Sequence, residues 1–111
     1  DVGKVEFGSQ QWQQITWGDW QENGGKYLGD DIFTGRPQFG QGWFEEIMGR
    51  LGKNVLIRSH QPDTKPVIYD GKCLTIFTSS AYQALVPKRT IAIADLEKEI
   101  RTVDDLVIET I

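Results

Sequence analysis

The chain has 111 residues, of which 39% are hydrophobic, and its 12 basic and 16 acidic side chains give a formal net charge of −4. This length predicts one small domain or a fragment of a larger one, and the negative charge with scattered basic residues argues against nucleic-acid binding. No apolar run approaches the roughly 18 residues of a membrane span, and the single cysteine, Cys73, excludes an internal disulfide, so we expect a cytoplasmic protein.

Residues 1–40 are rich in glycine, glutamine and aromatic residues, and Trp12, Trp17 and Trp20 lie close together in the sequence. This composition predicts a loop-dominated segment whose indoles anchor it against a core. Exposed indoles that stack on a sugar are the alternative interpretation. Nothing in the spacing of the tryptophans identifies a ligand.

Residues 41–111 carry the regular patterns, beginning with a helix. The apolar residues that fall on one helical face are Trp43, Phe44, Ile47, Met48 and Leu51. This periodicity predicts a helix over residues 41–51, and Gly52 is placed to end it.

Apolar runs after the helix predict strands at residues 54–58, 66–69, 73–78, 90–94 and 104–109. Asp70-Gly71 predicts a tight hairpin turn between the second and third of these strands. The runs at residues 55–57 and 74–77 are continuously apolar, which indicates cover on both faces. One helix cannot provide that cover, so we expect a missing partner segment and an isolated chain that tends to dimerise.

His60 is the only histidine, and it ends the apolar run that begins at residue 54. An imidazole at the point where a buried strand enters a loop is well placed to bind a metal ion or to act in catalysis. A single histidine at such a point is more often a hydrogen-bonded structural residue. Tyr82 ends a second apolar run, at residues 73–82. A second polar aromatic residue at the end of such a run makes a functional role for His60 more plausible.

Several motifs occur in a recognisable order. They are Trp17-Gly18-Asp19, Arg36, Phe39-Gly40, Arg58-Ser59-His60-Gln61 and Thr78-Ser79-Ser80-Ala81-Tyr82. Over about residues 15–95 this order resembles the carboxy-terminal half of the metal-dependent serine/threonine phosphoprotein phosphatases, of the calcineurin-like metallophosphoesterase superfamily. The resemblance implies an α/β (α+β) fold that forms the β-rich second half of a four-layer α/β/β/α sandwich.

The resemblance also implies roles for individual residues. His60 matches the histidine that binds one ion of a two-metal site, where Mn²⁺, Fe or Zn²⁺ suits an imidazole. Arg36 matches the arginine that grips phosphate oxygens with its planar fork. Tyr82 matches the tyrosine that closes over the phosphate, where its hydroxyl can donate a hydrogen bond.

The implied activity is hydrolysis of a phosphoprotein or a small phosphomonoester by metal-bound hydroxide. Most metal ligands of the family lie in its amino-terminal half, in Gly-Asp-x-His-Gly, Gly-Asp-x-x-Asp-Arg-Gly and Gly-Asn-His-Glu, and this sequence has none of these motifs. We therefore expect a chain that is inactive alone and needs the amino-terminal half as its partner. The alternative is a non-catalytic β-rich interaction module in which His60 and Tyr82 are structural.

Overall fold

The structure, a computed structural model, describes residues 4–111. The chain divides into two compact units, one that ends at Ile47 and one that runs from Met48 to Ile111. Across the described residues the fold is mixed α+β, with two α-helices and eight strands in three small sheets. This confirms the predicted α+β class. No helix in this part of the chain is long and apolar enough to cross a bilayer.

Within residues 4–111, the first unit holds the first helix, three strands and the start of the second helix, and the second unit holds the other five strands and two 3₁₀ turns. In chain order they are α1 (Gln10–Trp17), β1 (Asp19–Trp20), β2 (Tyr27–Asp30), β3 (Pro37–Phe39), α2 (Gln41–Leu51), β4 (Leu56–Ser59), β5 (Val67–Ile68), β6 (Cys73–Ile76), a 3₁₀ turn (Ser80–Tyr82), β7 (Thr90–Ile93), a second 3₁₀ turn (Val103–Asp105) and β8 (Val107–Thr110).

The first unit has more regular structure than its sequence predicts. β3 lies at the centre of a three-stranded sheet, parallel to β1 and antiparallel to β2. Ser9 caps the start of α1, and its side chain accepts a hydrogen bond from the Trp12 amide at 3.2 Å. The prediction of a loop-dominated segment missed α1 because only three of its eight residues are apolar, and so short a run carries little periodicity. The strands, of 2 to 4 residues, are too short for a visible alternation.

Two glycines of the quoted motifs allow close backbone packing in this unit. A Cβ on Gly18 would lie 2.4 Å from the Gln14 carbonyl oxygen and 2.8 Å from a ring carbon of Phe39. A Cβ on Gly40 would lie 2.6–2.8 Å from three carbonyl oxygens of residues 23–25. Gly40, the residue before α2, therefore packs against the backbone of residues 23–25, where only glycine fits.

α2 has the predicted bounds, residues 41–51. It presents Phe44 and Met48 to the interior, where they are 2% and 9% exposed. Gly52 follows with φ 62°, and the Lys53 amide donates to the Met48 carbonyl at 3.1 Å. The helix therefore ends at a left-handed glycine, as the sequence predicts.

In the second unit β6 is the central strand of a three-stranded sheet, parallel to β4 and antiparallel to β5. Asp70 and Gly71 connect β5 to β6 with φ values of 55° and 78°, which confirms the predicted tight turn. β7 and β8 form an antiparallel pair, and the Thr90 amide donates to the Phe77 carbonyl at 2.7 Å.

The first four predicted strands of the second unit are present with ends shifted by no more than two residues, and two larger differences remain. Cys73 and Leu74 are buried as expected, but Ile57 in β4 is 43% exposed, so the described residues cover β4 on one face. The predicted strand from residue 104 begins later, at Val107, because Thr102 and Asp105 form a capping box around the 3₁₀ turn that precedes it.

Leu74 and Leu96 allow a matched test of the core. Leu74 is 1% exposed and Leu96 is 92% exposed. We expect Leu74→Ala to lower the free energy of unfolding by about 2–5 kcal/mol, because it leaves a cavity in β6. Leu96→Ala should change it by less than about 0.5 kcal/mol. Urea denaturation measures both, and equal effects would contradict this description of the core.

Candidate functional site

His60 follows directly after β4, at the carboxyl end of a parallel strand pair. β4 and β6 align with Ser59 opposite Ile76, so the chain leaves both strands at the same edge of the sheet. Ligand sites in open α/β sheets lie at this edge. His60 has φ 70°, the left-handed region that a residue with a side chain rarely adopts. The backbone therefore turns sharply at the only imidazole of the chain.

Tyr82 contacts His60 from the loop that follows β6. The Nε2 atom of His60 lies 2.5 Å from the Tyr82 hydroxyl, and the two rings meet edge to face with centroids 5.3 Å apart. The ring of Phe77 packs against Tyr82, with the two ring centroids 5.4 Å apart. Ser79 caps the 3₁₀ turn that carries Tyr82 by accepting a hydrogen bond from the Ala81 amide at 3.1 Å. The structure thus brings together two of the three predicted site residues.

The pair of His60 and Tyr82 could supply one ligand to a metal ion but does not form a metal site by itself. A hydroxyl within hydrogen-bond distance of Nε2 orients the plane of the imidazole, as hydrogen-bond partners do for metal-ligating histidines. A metal ion would then bind His60 through Nδ1, or would displace the hydroxyl at Nε2. Among residues 4–111 no group of three or more histidine, cysteine, aspartate or glutamate side chains is placed to hold an ion. The described residues therefore offer one candidate metal ligand at this site, the imidazole of His60.

Arg58 and Gln61 lie on either side of His60 in the sequence, and the resemblance implies no role for them. Gln61 is 1% exposed, and its side-chain oxygen accepts a hydrogen bond from Nη1 of Arg58. Arg58 lies on the half-buried side of β4, opposite Thr75 of β6. The signal for this pair is weak in the sequence, since it consists only of two polar residues at the end of an apolar run.

Arg36, the third predicted residue, belongs to the first unit. Its Nη2 atom lies 3.0 Å from Oδ1 of Asp19, and the two side chains are only 13% and 10% exposed. Its Nε–H donates to the Trp17 carbonyl at 2.9 Å, and the guanidinium faces the Trp17 ring at 5.7 Å. The Trp17-Gly18-Asp19 motif and Arg36 therefore form one cluster, with the carboxylate orienting the guanidinium fork.

The loop before Arg36 is held by Asp31. Its carboxylate accepts hydrogen bonds from the Thr34 amide at 2.7 Å and the Phe33 amide at 2.9 Å. These two backbone donors, that of Thr34 above all, lower the pKa of Asp31. Gly35 then takes a φ of 68°, and the Asp31 amide donates to the Arg36 carbonyl at 2.9 Å. Asp31 thus sets the geometry of the short turn that delivers Arg36 to Asp19.

The three amino-terminal tryptophans each contact other side chains of the first unit. Trp12 packs on Phe7 with ring centroids 4.6 Å apart, and Trp20 packs edge to face on Phe44 at 5.5 Å. Trp17 faces the guanidinium described above. These contacts favour the anchoring role over a platform for sugars.

Cys73, at the start of β6, is a packing residue in this structure. Its side chain is fully buried. Burial raises the pKa of the thiol to about 11, and the positive charge of Arg58 opposes part of that rise. A thiol that stays protonated is a poor nucleophile, so Cys73 contributes packing rather than reactivity.

No protein-family model, curated protein or solved structure matches this chain.

Removal of the Asp19 charge tests the first-unit cluster. Asp19→Asn should lower the free energy of unfolding by about 3 kcal/mol, because it leaves the Arg36 charge without its ion pair in a nearly buried setting. Asp95→Asn is the matched control, since the ion pair of Asp95 with Lys98 is largely exposed and should contribute less than about 1 kcal/mol. Chemical denaturation at low and high salt measures both effects. A loss at Asp19 no larger than that at Asp95 would show that the cluster is weak.

The buried thiol predicts a pH dependence. The pKa of Cys73 is raised from 9.0 to about 11, so folding favours the neutral thiol. The stability from this preference is present below pH 9.0 and is lost as the pH rises through about 11. Relative to Cys73→Ala, the wild type should lose about 2–3 kcal/mol across this window. Urea unfolding at several pH values gives the difference, and a difference that does not change with pH would refute the prediction.

Proposed function

We propose that this chain is the carboxy-terminal, β-rich part of a metal-dependent phosphatase that hydrolyses phosphomonoesters, with phosphoserine and phosphothreonine in proteins as its substrates. In that arrangement the sheets described here would belong to the second half of a four-layer α/β/β/α sandwich. The observation that carries the proposal is the contact between His60 and Tyr82.

The contact supports the proposal because the motifs select both residues independently of it. His60 and Tyr82 lie 22 positions apart, and each comes from the loop at the end of one strand of a parallel pair. The left-handed φ of 70° at His60 adds support, since strained backbone in a non-glycine residue often occurs at functional sites.

The proposed site would hold two divalent ions, Mn²⁺, Fe or Zn²⁺, and His60 would supply one imidazole ligand. The remaining carboxylates and imidazoles would come from an amino-terminal half that carries the family motifs. When bound, the ions would activate a water molecule for attack on phosphorus and would polarise the phosphoryl oxygens. The chain described here would then be inactive without that partner.

The residues of this chain would bind and orient the phosphate. The Tyr82 hydroxyl can donate a hydrogen bond to a phosphate oxygen while its ring remains against Phe77. In the first unit the resemblance assigns phosphate binding to Arg36, whose guanidinium is held by Asp19 at 3.0 Å. Hydrogen bonds of this kind would stabilise negative charge that develops on a phosphoryl group.

A non-catalytic interaction module is the second candidate, and the exposure of β8 favours it. All four residues of β8 are exposed, and Val107 and Ile108 are 55% and 43% exposed. An exposed strand at the edge of a sheet, here with two apolar residues out of four, is able to pair with another chain. A stable metal-free monomer with a defined peptide partner would support this candidate.

The sequence upstream of Asp1 in the parent reading frame, or that of any chain that co-purifies, separates the two candidates. We expect Gly-Asp-x-His-Gly, Gly-Asp-x-x-Asp-Arg-Gly and Gly-Asn-His-Glu there. If no upstream or co-purifying sequence carries these motifs, the phosphatase proposal fails and the interaction module is favoured.

The role of His60 is tested in the complete protein. His60→Ala should remove one metal ligand and lower both metal content and phosphate hydrolysis by at least about tenfold. Elemental analysis and hydrolysis of p-nitrophenyl phosphate and a phosphoserine peptide measure the two effects. Gln83→Ala, an exposed substitution next to Tyr82, is the control and should change neither. Full metal content with undiminished turnover in His60→Ala would reject the metal role.

A further inference from the structure

We infer that Gln61, held by Arg58, is the positioning residue that keeps His60 in its left-handed conformation with its imidazole against Tyr82. The role rests on the proposed function, because it would present a preorganised imidazole to the metal site. The geometry itself can be measured in this chain alone, without metal or substrate.

The backbone of His60 is strained. At φ 70° its Cβ approaches the following carbonyl oxygen, so this conformation is less stable than the right-handed one. Such strain persists only when the residues on both sides are fixed. Ser59 fixes the amino-terminal side, because it is the last residue of β4 and aligns with Ile76 of β6.

Gln61 fixes the carboxyl-terminal side. At 1% exposure its amide is removed from water, so it needs hydrogen-bond partners within the protein. Arg58 supplies one through Nη1, in a charge-assisted bond that spans the turn at His60. Pro62 follows and restricts the backbone of Gln61 to extended conformations. The side chain of Gln61 is therefore an anchor, and the turn at His60 is the route the backbone takes to reach it.

Arg58 is placed to hold this anchor from within the sheet. It lies on the half-buried side of β4, opposite Thr75, which is 6% exposed. Its charge also reaches Cys73, where it favours the thiolate against the effect of burial on the thiol pKa. A guanidinium on this inner side of the strand can bond Gln61 while His60, on the exposed side of the turn, faces Tyr82.

The single histidine makes the test direct, since every imidazole signal in a nuclear magnetic resonance spectrum belongs to His60. The measurements are the nuclear Overhauser effect between the His60 and Tyr82 rings and the ¹⁵N shifts of the imidazole. Tyr82→Phe gives the reference shifts for an imidazole without the hydroxyl contact. The wild type should show a strong ring-to-ring effect and shifts that differ from this reference.

Three variants separate positioning from general destabilisation. Gln61→Ala should lose the ring-to-ring effect and move the imidazole shifts to the Tyr82→Phe reference. Gln61→Glu, which still accepts from Arg58, should keep both signals. Ile68→Ala removes a buried side chain of β5, 4% exposed, and should lower stability while leaving both signals unchanged. Wild-type signals in folded Gln61→Ala would overturn the inference.

Arg58→Met decides the question if Gln61→Ala does not fold. It keeps a long, unbranched side chain at this position of β4 but removes the donor to Gln61. Loss of the ring-to-ring effect in folded Arg58→Met supports the inference, and its retention overturns it. A positive result with a metal-free complete protein would uphold the positioning role and reject the proposed metal site, so the two failures remain distinct.

Discussion

Parallel pairing of β4 with β6 fixes where two loops of the second unit leave the sheet. In a parallel pair both strands end at the same edge, so the residues that follow them are brought together whatever their separation in sequence. This constraint places His60 beside Tyr82, with 2.5 Å between Nε2 and the hydroxyl. Burial of Cys73 and Leu74 in β6 stabilises the strand that carries the pairing.

Charge burial organises the first unit in a comparable way. Asp19 and Arg36 leave water together, and each would be costly to bury without the other. Their pairing joins the strand that begins at Asp19 to the turn held by Asp31. Both proposed polar sites therefore combine a catalytic candidate with a neighbour that fixes its orientation: Asp19 for Arg36, and Gln61 for His60.

The local elements of the second half of the chain could be predicted from the sequence. α2 is visible as an apolar stripe over residues 41–51, and the turn at Asp70 and Gly71 follows from the φ values that glycine permits. α1 was not predicted in this way, because it has only three apolar residues among eight and buries none of them. The 3₁₀ turn before β8 was also missed, since its capping box competes with strand formation through side-chain hydrogen bonds.

The sequence by itself determined which residues are chemically notable: one histidine, one tyrosine that ends an apolar run, and an arginine near a Trp-Gly-Asp motif. The tertiary structure alone decided that His60 meets Tyr82, that Arg36 is paired with Asp19, and that Gln61 is buried on Arg58. The periodicity of a helix or strand depends on residues only a few positions apart, so it can be read directly from the sequence. Contacts across 22 residues depend on strand direction and register, which are set only when distant segments pair.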